Sequence, residues 1–327
     1  MKTVIEIRHI DVQNANAVSG LTWGFPGVSA FLGFVHALDR RLCKDTPFKT
    51  VLNGCGIICH SHQTHAVADS YGEYGFALSR NPITKEGKTA PFNEEGRMHM
   101  SVTLLVECKV SANDYRDEVT TDPWPDLEND RQWLAKIISD LIPSYRLAGG
   151  NIVNQPVVEC HGFNVVDAKK ASLTRKILMR SLPGFALVDR SDLLAVQHTI
   201  MKESNPNADM LDAWLDFSSL RYRPSHTDED QPAKWARVPL PEVGWFVPLV
   251  VGMQGIAATQ PPNSVASARD PNIPFTPVES VYGIGQWLSP HRIKTLEQLL
   301  WYYRYKSAQQ YHYENRYKSI VETESGV

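Results

Sequence analysis

The stretch QNANAVSGLTWGFPGVSAFLGFVHALDRRL, Gln13 to Leu42, constrains the fold more than any other part of the chain. It reads as a polar loop running into an amphipathic helix. Val28, Phe31, Leu32, Val35, Leu38 and Leu42 recur at three- and four-residue spacing, so one face of that helix is apolar and must pack against another element. Pro26 has the backbone angle that suits a first helical turn, and Trp23, Gly24 and Phe25 stiffen the approach to it. Gly33 weakens the helix unless a neighbour packs very close there. The amides of Gln13, Asn14 and Asn16 both donate and accept hydrogen bonds. They either cap their own loop or read the edges of bases.

Around this organiser the first half alternates strands and helices. Thr3–Asp11 is rich in Val and Ile at alternating positions and predicts a strand. Val51–His60 predicts a second, with a bend or close approach at Gly54 and Gly56. Residues 66–96 are rich in Gly, Pro, Asn and charge and predict a long hairpin, with FALS and KTAPF as its arms. Arg97–Cys108 is the clearest strand. Met98, Met100, Val102, Leu104, Val106 and Cys108 face one way, and Arg97, His99, Ser101 and Thr103 the other. A helix over 126–142, apolar along Trp133, Leu134, Ile137, Ile138 and Leu141, stops at Pro143. RLAGGNIVNQPVV, 146–158, is a glycine turn leading into a last strand. The order strand, helix, strand, strand, helix, strand predicts an α+β protein of the ferredoxin-like, split βαβ pattern. Its helices would cover one face of an antiparallel sheet and leave the other free. RNA-recognition modules bind through that free face, but here it carries no aromatic residue for stacking.

The second half is less regular. Residues 168–181 predict a basic amphipathic helix, with Leu173, Ile177 and Leu178 on its apolar side. Short helices are expected over 192–202 and 208–217, and a buried strand over 244–252. Residues 255–277 read as an irregular connector. Ser289-Pro290 is expected to cap a final helix that turns Ile293, Leu296, Leu299, Leu300 and Tyr303 inward. The chain thus divides into 1–165, a helical segment 166–230, and a β and helical segment 231–327 packed on the first. Trp214, Trp245, Trp287 and Trp301 would supply core or a protein-binding surface.

Charge limits the chemistry. With 33 basic and 36 acidic residues the chain is not a generic polyanion binder, and any RNA binding by the isolated chain should be weak. Local patches are another matter. Between Ala168 and Val188 stand Lys169, Lys170, Arg175, Lys176 and Arg180 without one acid, either a solvated face or a track for phosphates. Arg146 beside Gly149, Gly150 and Asn151 is either a tight turn or a phosphate grip, since glycine lets backbone approach a ligand and arginine binds phosphate bidentately. Cys55, Cys59, His60, His62 and His65 are dense enough to invite zinc. However, no paired Cys-x2-Cys occurs, and on a strand the cysteines point away from His60 and His62, so no metal or other cofactor is expected. There is no G-x-S-x-G, and neither Gly54/Gly56 nor Gly283/Gly285 has the third glycine of a dinucleotide fingerprint. His36 is a candidate general base or a structural histidine. Five scattered cysteines and an opening MKTVIEIRHI with no apolar run point to a reduced, cytoplasmic protein with no membrane segment.

Taken together, QNANAVSGLTWGFPG, GIICH, the RNP to EEGRMHMS run, RLAGGNI, LPGFALV, GWFVP and YGIGQWLSPHR resemble the second Csy subunit of type I-F CRISPR surveillance complexes, from about Gln13 to Tyr303. The resemblance implies a repeat-associated (RAMP) protein built on a modified RNA-recognition fold. Such a subunit holds the 5′ handle of the CRISPR RNA and pairs with the large Csy subunit as a heterodimer. It touches a backbone Csy subunit through a protruding hairpin, the thumb, and meets target double-stranded DNA only through the complex. Guide processing and target cutting belong to other proteins, so no catalytic residues are expected. By position the thumb is the hairpin at about 66–97, with Phe76, Arg80, Asn81, Lys85 and Lys88. The RLAGG turn matches the glycine-rich loop of these RNA binders. The expected RNA-binding residues are Gln13, Asn14, Asn16, Trp23, Arg97, His99, Arg146, Gly149, Gly150, Asn151, Lys170 and Arg175. Two rival readings stay open: a repeat-RNA endonuclease using His36, His99 and Tyr74, and a metal-dependent enzyme using the His60–His65 cluster.

Overall fold

The first strand, β1 (Thr3–Asn16), is the axis of the first half and is longer than its apolar alternation implies. The Gln13–Asn16 segment, expected as loop, is the outer end of this strand. Two bulges let it continue, with His9 at φ 53° and Asn14 at φ 55° beside the register shifts. Asparagine and histidine tolerate that left-handed conformation better than most residues. Each bulge re-aims its neighbours without ending the pairing, so Val12 and Ala15 stay buried while Gln13, Asn14 and Asn16 are exposed. The structure, a computed structural model, describes residues 3–46, 50–80, 83–84, 86–110, 127–162, 167–224, 234–238, 240–268, 270–307 and 309–317.

A small hairpin, β2 (Val18–Ser19) with β3 (Thr22–Trp23), leads into α1 (Val28–Asp45). Helix α1 buries the predicted stripe and Phe34 as well. No element packs close at Gly33: a Cβ there would meet nothing within 4 Å, and the residue borders an open groove. Strand β4 (Thr50–Thr64) follows. The arm comes next, made of β5 (Ala66–Ala68), β6 (Tyr74–Phe76), β7 (Leu78–Arg80) and β8 (Phe92–Glu94). It pairs β5 with β6 and β7 with β8. Then come β9 (Arg97–Val110), α2 (Leu127–Leu141), a short hairpin β10 (Arg146–Leu147) and β11 (Gly150–Ile152), and β12 (Val157–Gly162). The long strands lie in the order β12–β1–β9–β4, each antiparallel to its neighbour. Phe31 and Leu38 of α1, Leu134 and Ile138 of α2, and the Met98–Cys108 face of β9 share one core. Trp133, expected in that core, is 40 % exposed.

The opposite face of the sheet is not free along its length. Thr103 and Leu105 are buried there. Val4, Ile58 and Leu105 form a second core with Ile177, Leu178, Ala186, Leu288 and Leu299 from the second half. Among the described residues only the Arg97–Ser101 end remains open. The cover comes from α3 (Asp167–Arg180), β13 (Phe185–Asp189), α4 (Asp192–Ser204), α5 (Met210–Ser218), the hairpin β14 (Tyr222–Pro224) with β15 (Trp235–Arg237), and β16 (Trp245–Gly255), β17 (Val278–Leu288), β18 (Leu300–Ser307) and β19 (Gln310–Asn315). The expected final helix is absent. Pro290–Arg292 and Leu296–Leu299 are short 3-10 turns, and the residues from Leu300 are strand. Here the aromatic run LWYYRY follows its β preference. Trp301 is fully buried and donates from Nε1 to the Leu187 carbonyl at 2.9 Å. Pairing runs β4–β13–β17–β16–β19–β18 and back to β4, a closed circuit that caps the edge of β4.

Two polar ties lock the halves together. Arg180, which the sequence leaves as part of a solvated face or of a phosphate track, reaches inward. Its Nη2 donates to Glu6 Oε2 at 2.6 Å, and it binds both oxygens of Glu159 at 3.1 Å. Arg8 and His161 complete this network. His60 bridges three elements: its Nδ1 donates to the Pro183 carbonyl at 2.8 Å and its Nε2 accepts from the Thr103 hydroxyl at 2.7 Å. Among the described residues no helix is long and apolar enough to cross a membrane.

Candidate nucleic-acid interface

Most of the polar residues singled out in the sequence meet at one end of the sheet. Gln13 stands opposite Asn151, Asn151 opposite Arg146, and Asn16 opposite Arg97. The β10–β11 hairpin turns through Ala148 and Gly149, both at positive φ (51° and 75°), the two-residue turn that matches strand twist. At Gly150 a Cβ would lie 2.6 Å from the Gln13 carbonyl oxygen, so only glycine lets this hairpin lie on β1. Asn16 N–H donates to the Ala148 carbonyl at 2.8 Å and fixes the turn against the strand end.

The side chains divide into struts and free groups. Arg97 is a strut: its guanidinium pairs with Glu95, donating from Nε at 2.6 Å, and approaches the Asn14 carbonyl at 3.4 Å. The Asn16 amide closes on Val18 at 2.9 and 3.1 Å, so it caps its own loop. In contrast, the amides of Gln13, Asn14 and Asn151 are exposed, and no side-chain hydrogen bond engages them among the described residues. Arg146 is exposed and has no ion-pair partner among the described residues. His99 Nδ1 accepts from Asn14 N–H at 3.3 Å, so a neutral His99 carries its proton on Nε2 and offers a donor. Its ring meets His65 edge-on at 4.2 Å. Burial, then the neighbouring His99, pushes the His65 pKa down.

Two grooves flank this strand end. One, of about 900 Å³, runs beside α1 between Gly33, Asn16, Arg146 and Gly149. The other, of about 420 Å³, lies on the far face between Gln13, His62, His99 and Ser101. Trp23 stands close by, 49 % exposed, with its ring edge-on to Phe76 at 5.2 Å.

Lys170 and Arg175 are not brought to this site. Helix α3 packs around Leu105, six residues along β9 from His99, roughly 20 Å at about 3.3 Å per residue. Lys170 there pairs with Glu297 at 3.3 Å, while Lys169, Arg175 and Lys176 are exposed.

The arm is rooted beside the site. His65 N–H donates to the Arg97 carbonyl, Ala77 N–H to His65, and Ala17 N–H to Gly96. Phe76 packs at this root. Farther out, Tyr71, Tyr74, Leu78, Ile83 and Phe92 are exposed, as is Lys88. Arg80 ends β7, and Asn81 and Lys85 lie outside the described residues. The cations of the arm are matched by Asp69, Glu73, Glu86, Glu94 and Glu95.

The rival chemistries find little support. His36 sits on α1, whereas His99 leaves β9 on the face away from α1, and Tyr74 belongs to the arm. Cys55 and Cys59 are buried thiols, and burial pushes Cys59 up to about 12; among the described residues neither gathers with His60, His62 or His65 into a group of three at ligand spacing. Glu6, Glu159 and His161 lie close enough to hold an ion, but the guanidiniums of Arg8 and Arg180 already occupy the carboxylates.

Comparison with known proteins identifies the family. Residues 5–314 match the family described as CRISPR-associated protein (Cas_Csy2). The CRISPR-associated protein Csy2 of Pseudomonas aeruginosa (strain UCBPP-PA14) is 34% identical over 317 residues, which covers 92% of this chain and 91% of that protein. The chain belongs to the CRISPR-associated Csy2 family.

Proposed function

We propose that this chain is a non-catalytic subunit of a cytoplasmic CRISPR RNA-guided surveillance complex, and that it grips the 5′ handle of the guide at the β1 end. The observation that carries this reading is the convergence of the free Gln13, Asn14 and Asn151 amides with Arg146 and His99 Nε2. Amides that donate and accept suit the edges of unpaired bases, and one unpaired guanidinium suits a phosphate. The antiparallel order β12–β1–β9–β4, with α1 and α2 on one face, supports a modified ferredoxin-like, RAMP-type domain.

The arm fits a protein contact better than a phosphate clamp, because its exposed residues are apolar and its charges balance. On this reading it touches a backbone subunit. The large subunit completes the RNA site as a heterodimer partner, and target DNA is met through the assembly. A formal charge of −3 agrees with a chain that needs those partners to hold RNA tightly.

The test is co-purification of the full chain with the other complex subunits and guide RNA. Gln13→Ala with Arg146→Ala should leave the fold intact and lose nuclease protection of the handle. Unchanged protection would remove the proposal.

A further inference from the structure

A third cavity, of about 380 Å³, lies between the Trp23 turn and the wall made by β13 and β16. Trp23, Phe185 and Trp245 form its rim at 49, 44 and 51 % exposure, with Phe25 and Trp287 below. The rings interlock: Phe185 meets Trp245 edge-on at 5.3 Å, and Phe25 meets Trp287 edge-on at 4.9 Å. Among the described residues no Lys, Arg, Asp or Glu lines the cavity. Its occupant must therefore be neutral and able to use aromatic faces. The volume lies at the small end of the range of about 300–1,000 Å³ for small-molecule pockets, which suits one ring system.

The position of the cavity identifies that ring. Ser61 and His62 line both this cavity and the Gln13–His99 groove. Ser19, Pro26 and Gly27 line both this cavity and the Arg146–Gly149 groove. The cavity therefore borders both grooves of the RNA surface. His60 contributes only its shape, because both its ring nitrogens are engaged within the protein. His62 is exposed at the mouth, with no hydrogen bond to its ring among the described residues.

We infer that this aromatic pocket receives one unstacked base of the guide RNA, while its phosphates stay outside on Arg146 and the amide surface. Bases of single-stranded RNA are commonly splayed out and stacked on aromatic side chains in this way. The inference rests on the RNA-binding reading above and adds a specific seat to it.

The experiment uses the full complex loaded with guides that carry 2-aminopurine, or an abasic site, at one handle position at a time. One position should be quenched in the unaltered complex and released by both Trp245→Leu and Phe185→Leu. An abasic site at that position, or Trp245→Leu alone, should weaken guide retention by about 5- to 150-fold, and the two together by no more than either. Trp235→Leu, at an exposed site outside the pocket, should change nothing. If guide is retained but no position responds to either pocket variant, the inference fails while the RNA-binding reading stands. Loss of another protein subunit with every base unaffected would mark the pocket as a seat for a protein side chain and would also overturn it. A complex that contains no guide RNA at all overturns both.

Discussion

Arg180 and Arg175 sit five positions apart on one helix and have opposite fates. Arg180 turns inward to Glu6, which is fully buried, whereas Arg175 stays in solvent. Removing one partner of a buried charge pair costs about 3–5 kcal/mol, and an exposed substitution rarely exceeds about 0.5 kcal/mol. Arg180→Ala should therefore lower unfolding stability by several kcal/mol in a denaturant titration, and Arg175→Ala should leave it unchanged. Burial raises the Glu159 pKa, but the hydrogen bond and charge of Arg180 outweigh that and leave it below the ordinary carboxylate value. The ion pair then stabilises the fold above about pH 4.5, and that contribution is lost as pH falls through the folded value. His60 behaves differently in origin but with the same sign. Burial lowers its pKa, so the unfolded chain takes up a proton first and stability drops as pH falls below about 6.5. His60→Asn should flatten that slope in thermal unfolding between pH 7 and 5. Gly149 was legible in sequence because a positive φ in a two-residue turn is a local need. Arg180 was not legible as a strut, because a run of cations says nothing of acids such as Glu6, 174 positions away.

At the scale of elements, the two hairpins near the site do different work. The β10–β11 turn holds Arg146 against the end of β1, and its backbone contact at Gly150 admits no side chain. Gly150→Val should push the hairpin off β1 and abolish guide retention, even where Arg146 and Asn151 are intact; retention at the unaltered level would contradict this. Among the described residues the arm is anchored at its root, so replacing 78–94 with a short Gly-Ser linker should leave the melting temperature unchanged and impair assembly with a backbone subunit. Periodicity found the helices and long strands of the first half because each is amphipathic in its own right. It failed at 293–303, where apolar residues fall at helical spacing although Leu300–Tyr305 pairs as strand. Pairing with β4 and the β preference of LWYYRY together override the helical spacing there. The bulge at Asn14 was hidden for a similar reason. Polar residues at a strand end look like loop until the partner strand is known.

For the whole molecule, the sheet is shared. Val4, Ile58 and Leu105 share a core with residues of the second half, and the edge of β4 is capped by β13 and β18. A fragment ending at residue 165 should therefore aggregate or unfold rather than behave as an RNA-binding module, and circular dichroism with size-exclusion chromatography would show it. The same cover explains why the expected open sheet face shrinks to the Arg97–Ser101 end, and why RNA recognition is assigned to a strand terminus with its turns. The most direct measurement is photo-crosslinking of the handle to this chain within the assembled complex, mapped by mass spectrometry. Crosslinks concentrated in peptides around Asn14, His99 and Arg146 are the predicted result. Crosslinks confined to α3, or none to this chain, would contradict it.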